Sequence, residues 1–176
     1  MLSAAAFAIN FAEVNSVPAT APADFQAGVL FGFSGKDLRT QVNACFAPDQ
    51  KIADDTDAFI AAIEAKDIGS IKSIVEGDEK LAIADASTCM TDPQYAEVAK
   101  AYNYQIDLVT RAVADPDWQL HAIKGLRPHI ADIKGNTQAA IAAWNSGDYY
   151  GAGTKIGEID NWVFTYWEQN QAAFLQ

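Results

Sequence analysis

The side chains of this sequence that could do chemistry are few, and their spacing decides against most of what they could do. Asp54, Asp55 and Asp57 crowd carboxylates as the opening of a calcium loop does, but the glycine and the closing glutamate such a loop requires are absent. They are expected to be solvated at a helix start. His121 and His129 lie eight residues apart across Pro128 and lack the four-residue spacing that sets two imidazoles on one helical face for zinc. Asp117, four before His121, makes an ordinary helical pair. Gly151, Gly153 and Gly157 fit neither the dinucleotide nor the phosphate-loop pattern, so they read as packing glycines, as do Gly28 and Gly32. No metal or cofactor is expected. Nor is an enzyme, because a general acid or base works among convergent polar groups and the carboxylates here are scattered.

The elements that carry these residues read as helices. Alanine is abundant, and glycine and proline fall mostly between apolar-periodic stretches. Tyr95, Val98, Tyr102, Ile106, Val109 and Val113 recur in steps of three and four, which predicts one buried helical face. Ile123, Leu126, Ile130, Ile133, Thr137, Ile141 and Trp144 form a second stripe, with a break expected near Arg127 because Pro128 cannot donate a helical hydrogen bond. Tyr149, Ala152, Ile156, Ile159, Val163 and Tyr166 form a third. In the first half, Ile52, Phe59, Ile60 and Ile63 make one stripe and Ile68, Ile71 and Val75 another, so shorter helices are expected there. Asp92-Pro93 and Asp115-Pro116 signal helix starts. The expected fold is all-α, an antiparallel helical bundle with short broken helices first, long helices later, and an N-terminal arm.

Cys45 and Cys89 stand one in each of two apolar patches. Bridging them would close a loop worth about 4 kcal/mol in the chain-entropy model; the alternative is two buried thiols. A bridge implies an oxidising compartment, hence a secreted, extracellular protein. The formal charge of −11 repels phosphate backbones, so no nucleic-acid partner is expected, and no apolar run is long enough to span a membrane.

Residues 1–24 read as an apolar arm followed by a proline-flanked linker, and residues 25–176 as one domain. The arm has no basic residue ahead of its apolar part, which argues against a secretory signal. Leaving Leu2, Phe7, Ile9, Phe11 and Val14 in water would forgo roughly 1.5–3 kcal/mol per large side chain, so they are expected to be buried, on the arm's own bundle or on another copy. At the other end Trp162, Phe164, Trp167, Phe174 and Leu175 point away from the third stripe, which leaves that helix apolar around most of its girth. Thr20, between prolines, is a candidate for O-linked sugar.

Phe25 to Phe33 with its glycines, Cys45, the short helices to Cys89, Trp144-Asn145-Ser146-Gly147-Asp148-Tyr149, Ala152-Gly153 and Ile156-Gly157 together resemble a loose group of small, secreted helical proteins common in ciliates. That resemblance spans about residues 25 to 157 and implies a secreted helical fold without an activity. The early cysteine pair also resembles the plant invertase and pectin methylesterase inhibitors, whose second cysteine pair is missing here. The expectation is a structural subunit that joins copies of itself into a filament or other homo-oligomer through the arm and the aromatic C-terminal helix. The alternatives are a carrier of a lipid or other apolar ligand, with Trp162 and Trp167 lining its pocket, and a module that binds or inhibits another protein.

Overall fold

Pro22 occupies the first turn of the first helix, where its missing N–H is not needed. Gly35 ends that helix in the left-handed conformation (φ 71°), its N–H bonded to the Phe31 carbonyl at 2.7 Å. The structure, a computed structural model, describes residues 17–48, 50–67, 69–70, 86–114, 124 and 126–174. Among them the chain is all-α. Its helices are α1 (Ala21–Ser34), α2 (Arg39–Cys45), α3 (Gln50–Ala65), α4 (Ser87–Thr91), α5 (Ala96–Ala114), α6 (Ile130–Asn145) and α7 (Tyr149–Phe174). No described helix is long and apolar enough to cross a membrane.

Short 3-10 turns precede α5 and α6. Asp92 accepts the Gln94 N–H at 3.0 Å, the cap its sequence predicts, and the second stripe breaks at Arg127–His129, where Pro128 interrupts it. The Asp115-Pro116 start lies outside the described residues.

The most enclosed helix is α1. Ala23, Ala27 and Leu30 on one face meet Val42, Cys45, Cys89, Val98 and Tyr102, while Phe25 and Val29 on another meet Ile60, Trp144 and Ala152. A helix apolar on all sides must be surrounded, and α1 is. Arg39 of α2 fastens its outer edge, donating to Asp24 at 2.8 Å while its guanidinium lies 4.7 Å over the Tyr150 ring of α7. Partial burial would raise the Asp24 carboxyl, but hydrogen bonds from Arg39 and Asn43 and the Arg39 charge outweigh it and hold the group below its ordinary value.

Four glycines set the relation of α1 to α7. A methyl group at Gly28 would strike the Tyr150 carbonyl and come within 2.8 Å of the Thr154 nitrogen; at Gly32 it would strike the Thr154 carbonyl and reach 2.8 Å from the Glu158 nitrogen. Reciprocally, Gly153 abuts the Phe25 carbonyl and Gly157 the Val29 carbonyl. Each Cα–H therefore faces an oxygen of the opposite backbone, a contact worth on the order of 0.5–1 kcal/mol. Gly151 is not part of this seam, since a methyl there would meet only the Asp148 side chain of its own helix cap.

Because residue numbers rise together along the seam, α1 and α7 run parallel. For this pair the expected antiparallel arrangement does not hold: small residues four apart on both helices allow close backbone approach in either direction, and no short connection joins α1 to α7 to turn them antiparallel. The hairpin of α6 and α7 is antiparallel, turned by Gly147 (φ 82°) and capped by Asp148, which accepts the Gly151 N–H at 2.9 Å. Against α6 lies α3, where the Trp144 indole N–H donates to Asp57 at 2.7 Å and the Trp144 ring packs edge-on with Phe25 and Tyr149.

Three other expectations change. Val17 packs on the Phe25–Trp144 cluster and accepts from Gln50 at 2.9 Å, and residues 21–24 belong to α1, not to a linker. Among the described side chains of α5 the buried ones are Val98, Ala101, Tyr102 and Leu108, whereas Ile106 is exposed, because Phe33 and Phe164 meet the helix at Leu108; the side chains of Val109 and Val113 lie outside the described residues. Ile130, expected in a buried stripe, is 65% exposed.

Candidate assembly surface and cleft

Cys45, at the end of α2, and Cys89, in α4, form a disulfide with Cα atoms 4.9 Å apart. Both are buried, in the cluster that holds one face of α1. Tyr102 lies in the same cluster with its hydroxyl buried and without a hydrogen bond, and burial pushes its phenol pKa up.

The residues expected at an assembly surface divide sharply. Leu2, Phe7, Ile9, Phe11, Val14 and Leu175 lie outside the described residues, as do the side chains of Trp167 and Phe174. Phe164, expected to point outward, instead packs on Phe33 and Leu108, because it follows Gly157 by two turns and stays on the side of α7 that faces α1 and α5. Trp162 is half-buried, its indole stacked on the His129 ring at 4.6 Å and nearly parallel (4°). His129 also lies 3.6 Å from Asp132 one turn on, and its stack on Trp162 links the start of α6 to α7. Beyond Gly157 no described side chain of α7 is fully buried: Ile159, Trp162, Val163 and Phe164 all keep partial access to solvent. Thr20 is exposed at the start of α1 and makes no cap hydrogen bond, which leaves its hydroxyl accessible.

Asp54, Asp55 and Asp57 sit within α3 rather than at its start. Asp54 accepts from Gln50, Asp55 pairs with Lys51, and Asp57 holds the Trp144 indole. Among the described residues no cluster of acids, histidines or cysteines could hold a metal ion.

Two features escape the sequence pattern. The first is Asp160, which follows Tyr149, Ala152 and Ile156 at core-facing spacing, where the expected stripe shifts to Ile159. Its residue keeps a partial opening to solvent, but the carboxyl is enclosed in dense surroundings and has no hydrogen bond or ion pair with a described residue. Desolvation raises its pKa to about 7. An acid at the i+4 position between Ile156 and Val163 was the available signal.

The second is a cleft of about 650 Å³ between the end of α3 and α6, lined by Ile63, Glu64 and Lys66 on one side and by Lys134, Thr137, Gln138, Ile141, Ala142 and Asn145 on the other. Trp162 is not part of its lining, and the side chain of Trp167 lies outside the described residues. Lys66 ends α3 with φ 58°, a position usually given to glycine; Lys66 N–H bonds Ile63 and Asp67 N–H bonds Ala62, completing the helix-terminating turn. A lysine in that conformation costs roughly 1 kcal/mol relative to glycine.

No protein-family model, curated protein or solved structure matched the chain. Geometry alone therefore carries the functional reading.

Proposed function

We propose that this chain is a non-enzymatic, secreted structural subunit that joins copies of itself through its N-terminal arm and the far half of α7. One observation carries the reading: past Gly157 the last helix has left the closest part of the core, and its Trp162, Val163 and Phe164 remain partly open to solvent. Ile130, beside the His129–Trp162 stack in sequence, is 65% exposed, which adds apolar surface at the same end of α6. Apolar surface left open to solvent gains stability when a partner covers it. The sixteen mostly apolar residues of the arm precede Val17, which packs on the Phe25–Trp144 cluster and accepts a hydrogen bond from Gln50 of α3. The disulfide suits an oxidising, extracellular setting, in line with the resemblance to secreted helical proteins of ciliates.

Light-scattering mass measurement of the full chain, of a chain without residues 1–16, and of Ile130→Glu tests this. Concentration-dependent masses above one chain are expected for the first and reduced masses for the other two. Identical monomers in all three would overturn the proposal.

A further inference from the structure

We propose that the α3–α6 cleft is a binding site for a small amphipathic carboxylate, of the medium-chain fatty acid class. The Asp57–Trp144 hydrogen bond ties α3 to α6 beside it. Lys66, just past the end of α3, and Lys134 of α6 both line the cleft. Both ammonium groups belong to the lining of this one cleft. Ile141 and Ala142 of α6 and Ile63 of α3 supply its apolar lining, and Lys134 to Asn145 spans about 16 Å along α6.

The charge is unusual for this molecule. Acids outnumber bases by 23 to 12, and Lys36, Arg39, Lys51, Arg111 and Lys155 each pair with an acid. Neither Lys66 nor Lys134 makes an ion pair with a described residue, and with Glu64 as the sole acid of the lining the cleft carries two positive charges against one negative. The nearby Asp67 carboxylate is occupied by the Ser70 N–H and hydroxyl at 3.1 and 2.7 Å. Lys134 also lies in the second turn of α6, close to a helix N-terminus that favours an anion. The left-handed backbone at Lys66 places a lysine, rather than a glycine, on the rim. Two cations without ion pairs to described residues, lining a cleft that also carries apolar side chains, are complementary to a carboxylate with an alkyl tail.

Calorimetric titration of the full chain with sodium decanoate below its micelle concentration tests the inference, with decyltrimethylammonium as the same tail bearing the opposite head. Decanoate is expected to bind one per chain, at least tenfold tighter than the cation. Lys134→Glu, and Lys66→Glu with it, should weaken decanoate at least tenfold while far-ultraviolet circular dichroism stays unchanged. A synthetic peptide of residues 1–16 supplies a competitor. Absence of decanoate binding, equal affinity for the two heads, indifference to the lysine changes, or exclusive occupation of the cleft by the peptide would each overturn it.

Discussion

The two halves of α7 are one continuous helix held by different physics. From Tyr149 to Glu158 it meets α1 backbone to backbone, with Ala152, Gly153 and Gly157 buried and no room for a single added methyl at the two glycines. From Ile159 onward it presents large side chains, Trp162 and Phe164 among them, that remain partly exposed. Small residues permit close approach and many weak backbone contacts. Bulky ones hold a neighbour at a distance and need more surface to cover them. The contrast teaches that apolar content alone is a poor guide to where this helix is buried.

The largest expected effect comes from filling the seam. Glycine to alanine inside a helix ordinarily stabilises by about 1 kcal/mol, and Gly135→Ala in α6, where a methyl meets nothing within 4 Å, should do so. Gly28→Ala with Gly157→Ala should have the opposite sign, since each methyl collides with backbone that cannot rotate away. Overpacking of roughly 3 kcal/mol at each site would consume most of a typical stability margin. Urea unfolding of the two variants beside the parent decides it: a seam pair as stable as Gly135→Ala would break the contrast.

The disulfide tests the other face of α1. Cys45→Ser with Cys89→Ser should cost about 4 kcal/mol, the loop-closure value for a separation of 44 residues. Denaturation midpoints with and without the bridge measure it. A loss under about 1 kcal/mol would mean that the seam holds α1 without help from α2 and α4.

Asp160 lies at the boundary between the halves, and its pKa gives the effect a direction. In the folded chain the carboxyl holds its proton up to about pH 7, against 3.8 for an ordinary aspartate. Between those values the folded state binds more protons than the unfolded one, so this group's contribution falls as pH rises from about 4 to 7 and is constant above. The shift corresponds to at most about 4 kcal/mol, and the partial opening to solvent makes about 2–3 kcal/mol the working expectation. Asp160→Asn should therefore gain on the parent at pH 8 and match it near pH 4. Taking the difference between the two proteins cancels the other carboxylates. Equal urea midpoints at both pH values would place the Asp160 carboxyl in water.

These tests also mark what the sequence makes legible. The four seam glycines, the cysteine pair and the break at Pro128 announce themselves because each depends on a local property: absent side chain, thiol, absent N–H. The parallel pairing of α1 with α7 does not, since identical spacing serves either direction. Nor does the inward position of Asp160, because steps of three and four from Ile156 reach Ile159 and Asp160 equally well, and hydropathy prefers the isoleucine. Ile106 and Leu108 repeat the lesson on α5, where the position of Phe33 and Phe164 selects the face. Lys66 and Lys134 are invisible as a pair until α3 and α6 are placed side by side.

The smallest effect on stability should come from Trp162→Ala. Its indole is half-buried, and its principal described contact is the stack on His129, an interaction in the range of about 0.5–1.5 kcal/mol. The loose half of α7 therefore predicts a modest loss of about 1 kcal/mol in urea, together with a clear drop in solution mass if this half also joins copies. The two measurements separate the roles of the residue. A loss of several kcal/mol with unchanged mass would mean that Trp162 anchors its own chain, and the distinction between a locked and an open half of the helix would disappear. A small loss with reduced mass would place the exposed edge of that indole between molecules, which is where a large side chain of limited local value gains the most from being covered.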